Sequence, residues 1–227
     1  QFRFRGKSGV EHELDLQSPR LAKIVRRCQE LPGQKLFAYI DDEGNVCGAG
    51  GYLVQLLPEV GRGPLAGPVV AAAVHIPPEI DLEGIGDSKK LTPRQRLLAF
   101  QEILRWGEVS VGVATSAEID RVNILNATYL AMRRAIQGLT PAPQICLIDG
   151  NRPVPGLSVP QQAIVRGDSQ CFLIAAASIV AKVVRDRFME DYHQMFPEYG
   201  FSRNKGYPTA EHREAILRHG LCPIHRV

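Results

Sequence analysis

No two of the five cysteines, Cys28, Cys47, Cys146, Cys171 and Cys222, stand in a C-x-x-C pair. An odd count without that spacing argues against a disulfide framework or a thiolate zinc site, and a reducing cytoplasm is the expected setting. Long apolar runs are also missing. Gly67–Val74 and Cys171–Ala181 are the longest, well short of the roughly 18 residues that span a bilayer, so no membrane partner is expected. The N-terminal QFRFRGKSG lacks an apolar h-region, and no secretion signal is expected. There is no H-E-x-x-H, no recognisable nucleophile elbow, no internal repeat and no low-complexity tract. The motifs of zinc peptidases and of Ser/His/Asp hydrolases are therefore lacking.

What is present is an ordinary globular composition. Hydrophobic residues make up 44% and charged residues 22% of 227, enough for a substantial core. The net charge of +3 permits a nucleic-acid partner without specifying one. The glycine cluster Gly48, Gly50 and Gly51 divides the chain into residues 1–50 and 51–227. In the first part, Phe2–Arg5 and Glu11–Leu16 alternate around Gly6–Gly9 and predict a β-hairpin. Pro19–Leu31 carries Leu21, Ile24, Val25 and Cys28 on one helical face, and Leu36–Ile40 is a short strand. In the second part, strands are predicted at Tyr52–Leu57, Pro68–Ile76, Glu108–Thr115 and Ile145–Ile148. Helices are predicted at Pro93–Arg105, with Leu97, Leu98 and Ile103 inward, then from Ser116 as a candidate cap, at Asn126–Gln137, Ser169–Met195 and Ala210–His219. Strands first, then strands alternating with helices, imply an α/β fold with a mixed sheet flanked by helices.

Five segments carry residues suited to chemistry. Pro58–Pro68, PEVGRGPLAGP, follows a strand, and its glycines permit close backbone approach to a ligand. A ligand-free hairpin turn explains it equally. Ile145–Asn151 runs four apolar residues into Asp149-Gly150. A carboxylate at the C-terminal end of a buried strand is where open α/β sheets place their chemistry, and an Asp-Gly turn is the plain alternative. Asp168, before the long helix, suits an N-cap or a metal ligand. Farther along that helix, Lys182, Arg185, Asp186 and Arg187 fit a solvated face with an i,i+4 pair between Lys182 and Asp186. Gly86–Leu91 and Asn204–His212 are basic, hydroxyl-bearing loops, suited to phosphate contacts and, through Tyr207, to ring stacking. Each of them also fits an ordinary polar loop. His212, His219 and His225 are expected at the surface or at helix ends.

Taken in order, GRGPLAGPVVAAAV at 61–74, GDSKKL at 86–91, IDG at 148–150, GDS with AAASIVAKVVRDR at 167–187, KGYPTAEH at 205–212 and CPIHR at 222–226 resemble ribonuclease HII. The resemblance implies a ribonuclease H-like fold, a mixed five-stranded sheet with helices on both faces. It implies cleavage of the RNA strand of RNA–DNA hybrids and of DNA with embedded ribonucleotides, by a cytoplasmic monomer. Four carboxylates would gather two Mg²⁺ or Mn²⁺ ions, relieving their mutual repulsion. Such ions, about 4 Å apart, activate a water and stabilise the leaving oxygen. Glu59, Asp149 and Asp168 fall on three of those four positions, while Pro58 occupies the fourth and has no carboxylate. Reduced metal affinity and turnover follow as an expectation. Gly61, Arg62, Gly63 and Tyr207 match the residues that read the 2′-hydroxyl, and Ser88, Lys89, Lys90, Lys182 and Lys205 are candidate phosphate contacts.

The first segment, FRFRGKSGVEHELDL with LAKIVRRCQELPGQKLFAYIDDEGNV, resembles part of bacterial type IB DNA topoisomerases, with Lys7 at a position that assists catalysis there. No counterpart of that family's nucleophilic tyrosine region follows, so topoisomerase activity is not expected. Three hypotheses remain open: a ribonuclease HII of weakened turnover, an inactive module that binds hybrid duplexes, and a chimeric scaffold.

Overall fold

The computed structural model describes residues 3–5, 11–13, 37–40, 46–50, 53–56, 61–76, 85, 91–140 and 142–227. They fall into two compact units, Gln1–Tyr52 and Leu53–Val227. In the first, β1 (Arg3–Arg5) pairs antiparallel with β2 (Glu11–Glu13), as the alternation around Gly6–Gly9 predicts. A second antiparallel pair joins β3 (Phe37–Ile40) to β4 (Val46–Gly50). Gly48 and Gly50, taken from the sequence as a divider, are strand residues of β4. The helix expected over Pro19–Leu31 lies outside the described residues.

The second unit is built on five strands: β5 (Leu53–Leu56), β6 (Val69–His75), β7 (Glu108–Ala114), β8 (Ile145–Asp149) and β9 (Gln161–Ile164). Their order is β7-β6-β5-β8-β9, antiparallel between β5, β6 and β7 and parallel between β5, β8 and β9. The mixed sheet is therefore as expected. The strand β9 escaped the sequence reading because Gln161-Gln162-Ala163-Ile164 lacks a clear two-residue alternation.

Helices cover both faces. They are α1 (Pro93–Trp106), α2 (Ser116–Gln137), α3 (Phe172–Met195), the short α4 (Phe201–Asn204) and α5 (Ala210–His219). The interior strand β6 shows why. Its Val69, Ala71 and Ala73 join Ala127, Ala131 and Ala135 of α2 in one core. Its Val70, Ala72 and Val74 join Ile103 of α1 and Ala176, Ala177 and Val180 of α3 in another. Successive side chains of a strand point to opposite faces, so a wholly apolar strand demands a cover on each side. Small residues bring α2 close. A Cβ on Gly112 of β7 would collide with the backbone oxygen of Ala131.

Several sequence expectations need correction. Leu97 and Leu98 of α1 are about half exposed, at 49% and 55%. Ala99, Phe100 and Ile103 face the core instead, so the buried stripe is rotated by one to two residues. The N-cap of α2 is Thr115, not Ser116, and it forms a capping box with Glu118. Asn123 breaks α2 at φ 67°. Its Oδ1 then accepts from the N–H groups of Leu125 and Asn126 at 3.0 and 3.1 Å and caps the second segment, which is why the pattern there looks like two helices. Asp168 is not a helix cap either. It sits in the 3-10 turn Gly167–Ser169, and α3 begins after Cys171. Among the described residues, no helix is long and apolar enough to cross a membrane.

The capping box of α2 is tied to its own far end. Glu118 Oε1 takes Arg134 Nη2 at 2.7 Å and Glu118 Oε2 accepts from Thr115 N–H at 2.9 Å. These bonds, that to Arg134 first, hold the Glu118 carboxyl at about 2, below its ordinary 4.5. A depressed carboxylate contributes stability that is whole above pH 4.5 and is lost as pH falls through about 2. Glu118→Gln is therefore expected to lower the thermal midpoint at neutral pH and to flatten its decline below pH 4.5. Parallel decline in both proteins would remove Glu118 as a contributor to acid unfolding.

Candidate active site

The strand β8 ends in Asp149, and the chain turns at Gly150 with φ 122°. Gly150 N–H donates to Ile164 O at 2.9 Å, which holds the ends of β8 and β9 together. From β9 the chain passes through Arg166, in the left-handed region at φ 54°, into the 3-10 turn. Gly167 N–H then donates to Asp149 Oδ1 at 2.6 Å. The residue following that N–H is Asp168, whose side chain is largely buried at 8% exposure. A Cβ on Gly167 would press on Ile174 and stand 3.2 Å from Asp149 Oδ1, so the glycine is what lets the turn close on the carboxylate. Asp149 and Asp168 are thus brought to one corner of the sheet by a single backbone link.

The glycine loop is built differently. Gly61 has φ 108°, and a Cβ there would collide with the Arg185 guanidinium. Leu65 N–H donates to Gly206 O at 2.8 Å, Gly67 N–H to Ile224 O at 2.9 Å and Arg226 N–H to Leu65 O at 2.9 Å. The loop is therefore sewn on one side to the Lys205–Tyr207 turn and on the other to the C-terminal segment. Two guanidiniums complete it. Arg185 donates to Pro68 O at 3.1 Å and to Lys205 O at 3.0 Å. Arg226 donates to Gly67 O at 2.6 Å and to Pro64 O at 3.0 Å. Burial, and then the neighbouring Arg185, bring Arg226 down to about 10, which leaves it protonated at neutral pH. Burial lowers Arg185 as well. The Tyr207 ring lies over Arg185, 5.8 Å from ring centroid to guanidinium carbon, and 3.7 Å from where a Cβ on Gly63 would stand.

The expected site residues thus separate. Gly61, Arg62, Gly63, Lys205 and Tyr207 meet through the loop network, and the Asp149 carboxylate meets the backbone of Gly167, the residue before Asp168. Lys182 and Lys205 carry carboxylate partners, Asp186 at 2.6 Å and Glu190 at 3.2 Å. Glu59, Pro58, Ser88, Lys89 and Lys90 lie outside the described residues. Among the described residues, no three His, Cys, Asp or Glu side chains cluster as a metal centre. The sequence reading missed Arg185, taken for part of a solvated face but fully buried, and Arg226. The signal for Arg185 was its spacing from Ile174, Ser178, Ala181 and Met189 along one stripe of α3. His212 and His225, expected at the surface or at helix ends, are 0% and 4% exposed, His212 standing in the first turn of α5.

A family model described as ribonuclease HII matches residues 57–227. The chain belongs to the ribonuclease HII family. It is 54% identical over 176 residues to the ribonuclease HII of Syntrophobacter fumaroxidans (strain DSM 10017 / MPOB), covering 77% of this chain and 75% of that relative. Against the ribonuclease HII of Syntrophotalea carbinolica (strain DSM 2380 / NBRC 103641 / GraBd1), identity is 53% over 169 residues, 74% of this chain and 80% of that one. The crystal structure of the ribonuclease H2 from Pyrococcus horikoshii OT3 superposes with a TM-score of 0.63 at 28% identity, over 77% of this chain and 92% of that one. The protein is accordingly a hydrolase, an endoribonuclease with the ribonuclease H-like fold. The topoisomerase likeness of residues 1–47 and the chimeric-scaffold hypothesis draw no support from these matches.

Arg185 is the member of the loop network whose loss is most readable. Arg185→Met removes the guanidinium donor of Lys205 O and the shorter of two guanidinium bonds to Pro68 O and is expected to cost ~2–4 kcal/mol in urea unfolding. Arg185→Lys recovers only part of this, because one ammonium does not reproduce a forked donor. A loss below ~1 kcal/mol for Arg185→Met would mean that the loop holds itself.

Proposed function

We propose that this endoribonuclease cuts the RNA strand of RNA–DNA hybrids and cuts at single ribonucleotides embedded in duplex DNA, with Asp149 and Asp168, joined by Glu59, holding Mg²⁺ or Mn²⁺. The observation that carries the reading is the bond from Gly167 N–H to Asp149 Oδ1, which draws the turn bearing Asp168 onto the Asp149 carboxylate at one corner of the sheet. Adjacent carboxylates repel, and hard divalent cations with oxygen donors suit such a corner. The bound ions would supply activation of water and stabilisation of the leaving oxygen. The chain's own residues do the rest. The Gly61–Gly63 backbone lies beside Tyr207 and takes the ribose. The ring stacks on the sugar and separates a ribonucleotide from a deoxyribonucleotide by its 2′-hydroxyl. Arg62, Lys182 and Lys205, with Ser88, Lys89 and Lys90, meet phosphates. The enzyme works as a monomer in the cytoplasm. Burial pushes the Cys146 thiol up to about 12, which keeps it protonated at neutral pH.

Pro58 sets the expected rate. It stands where the resembled family has a further carboxylate, so the site is one ligand short and metal binding and turnover are weak. The decisive assay uses a DNA duplex containing one ribonucleotide, with Mg²⁺ or Mn²⁺. Asp149→Asn and Asp168→Asn are each expected to lower cleavage by more than the ~100-fold that losing an outer-shell partner costs. Pro58→Asp is expected to raise Mg²⁺-dependent cleavage. Cleavage that persists at the parental rate in both asparagine variants would refute the assignment of the carboxylates, and no gain in Pro58→Asp would refute the role given to Pro58.

A further inference from the structure

The site reading leaves a buried group unused. His212 of α5 and His225 of the C-terminal segment face each other, Nε2 to Nε2, at 3.0 Å. Tyr199 and Phe201 close around them, with ring centroids 4.9 Å from His225 and 5.4 Å from His212 respectively. Two imidazoles meeting by the same nitrogen form a hydrogen bond only if one nitrogen carries a proton and the other does not. The backbone decides which. Cys222 N–H donates to His225 Nδ1 at 2.9 Å. Cys222 Sγ at 3.1 Å and Cys222 O at 3.3 Å also face that nitrogen, but the N–H contact is the shortest of the three and assigns it as an acceptor, with the ring's proton on Nε2. His225 Nε2–H donates to His212 Nε2, so the His212 proton is on Nδ1. There it faces Tyr207 O at 2.9 Å. The network assigns one tautomer to each ring.

We propose that His212 and His225 are positioning residues: a neutral relay from Cys222 N–H through both imidazoles to Tyr207 O that fixes where the Tyr207 ring stands against the glycine loop. The proposal rests on the reading of Tyr207 as the residue that recognises ribose. Tyr207 O also accepts from Thr209 N–H at 2.8 Å, and Tyr207 N–H donates to Asn204 O at 2.9 Å. The backbone of Tyr207 is thus held from both sides while its ring stays 42% exposed. The relay reaches the loop a second way, since His225 pairs with Ala66 in an isolated antiparallel bridge.

A further proton would break the relay. On His225 Nδ1 it would end the bond from Cys222 N–H and turn to Cys222 O at 3.3 Å, and on His212 Nε2 it would confront His225 Nε2–H. Burial first, and His212 as well, hold His225 below its ordinary 6.5, against the Cys222 backbone. The titratable groups facing the pair are Tyr199 and Cys222, both raised by burial, with Glu198 acting on each of them. Glu211, on the His212 helix, is held low first by Arg203 and also by His212, and His219 packs against Tyr199. A histidine depressed in the folded state contributes stability that is whole above 6.5 and is lost as pH falls through its lower folded value.

The test begins with the unaltered protein. Nitrogen-15 NMR of the imidazoles is expected to show His212 protonated at Nδ1 and His225 at Nε2. The opposite tautomer at His212 overturns the relay, whatever the variants do. Binding is then compared, in Ca²⁺, between a DNA duplex with one ribonucleotide and the same duplex in all-DNA form. His212→Leu is expected to cut that preference by about tenfold, the scale of one lost hydrogen bond, with all-DNA binding unchanged. His212→Asn, which keeps a donor near the Nδ1 position, is expected to retain most of it. Equal preference in His212→Leu and the parent, with loss in Tyr207→Ala, overturns the relay and leaves the reading of Tyr207 standing. No loss in Tyr207→Ala overturns both. In the unaltered protein the preference is expected to hold at pH 6.5 and to fall only at lower pH, where the depressed His225 protonates, and a flat profile down to the unfolding pH overturns the relay independently of any variant.

Discussion

Two guanidiniums in a sea of backbone carbonyls hold the recognition end of this enzyme together. Glycine loops leave carbonyl oxygens pointing inward, and a buried carbonyl without a donor costs ~1–3 kcal/mol. Arg185 and Arg226 answer this with forked, planar donors that serve Pro68, Lys205, Gly67 and Pro64. A buried cation is costly in turn, and burial does lower both side chains from their ordinary values. The carbonyls are what make the burial tolerable. Loop and arginines therefore require each other, and Gly61 is glycine because the Arg185 side chain occupies the space a Cβ would need.

The same dependence runs through the sheet. A strand of valine and alanine on both faces commits β6 to two helical covers, and Gly112 lets one of them come close. Helix α3 lies against β6 through Ala176 and Ala177 and carries Arg185 farther along. The packing of small residues near its start thus determines where the guanidinium reaches the glycine loop. The 3-10 turn that presents Asp168 immediately precedes α3, so both functional regions are referred to one helix.

Much of this was legible in the sequence. The alternation in Glu108–Thr115 and the Asp149-Gly150 ending of an apolar run each pointed to the element that the structure has. What was not legible is informative. Leu97 and Leu98 looked inward because leucine usually is, but a helix against a sheet buries one stripe, and Ala99, Phe100 and Ile103 already fill it. Arg185 looked solvated because charge usually is, and its burial depends on carbonyls more than a hundred residues away in the chain. His212 and His225 looked peripheral because no short motif joins them. Their contact is made by tertiary folding of α5 against the C-terminal segment, and periodicity carries no record of it.

These errors share a cause. Local patterns report how a residue relates to its own helix or strand, whereas a polar group buried in the core is decided by partners elsewhere. The ribose-facing half of the proposed site consists almost wholly of such groups. Its donors come from α3, α5 and the last residues of the chain, and they converge on a loop between β5 and β6. A change confined to position 58 leaves those donors where they are. Under the proposed function, recognition and metal-dependent scission therefore depend on different parts of the chain, and a carboxylate missing at position 58 would slow cleavage before it weakened binding.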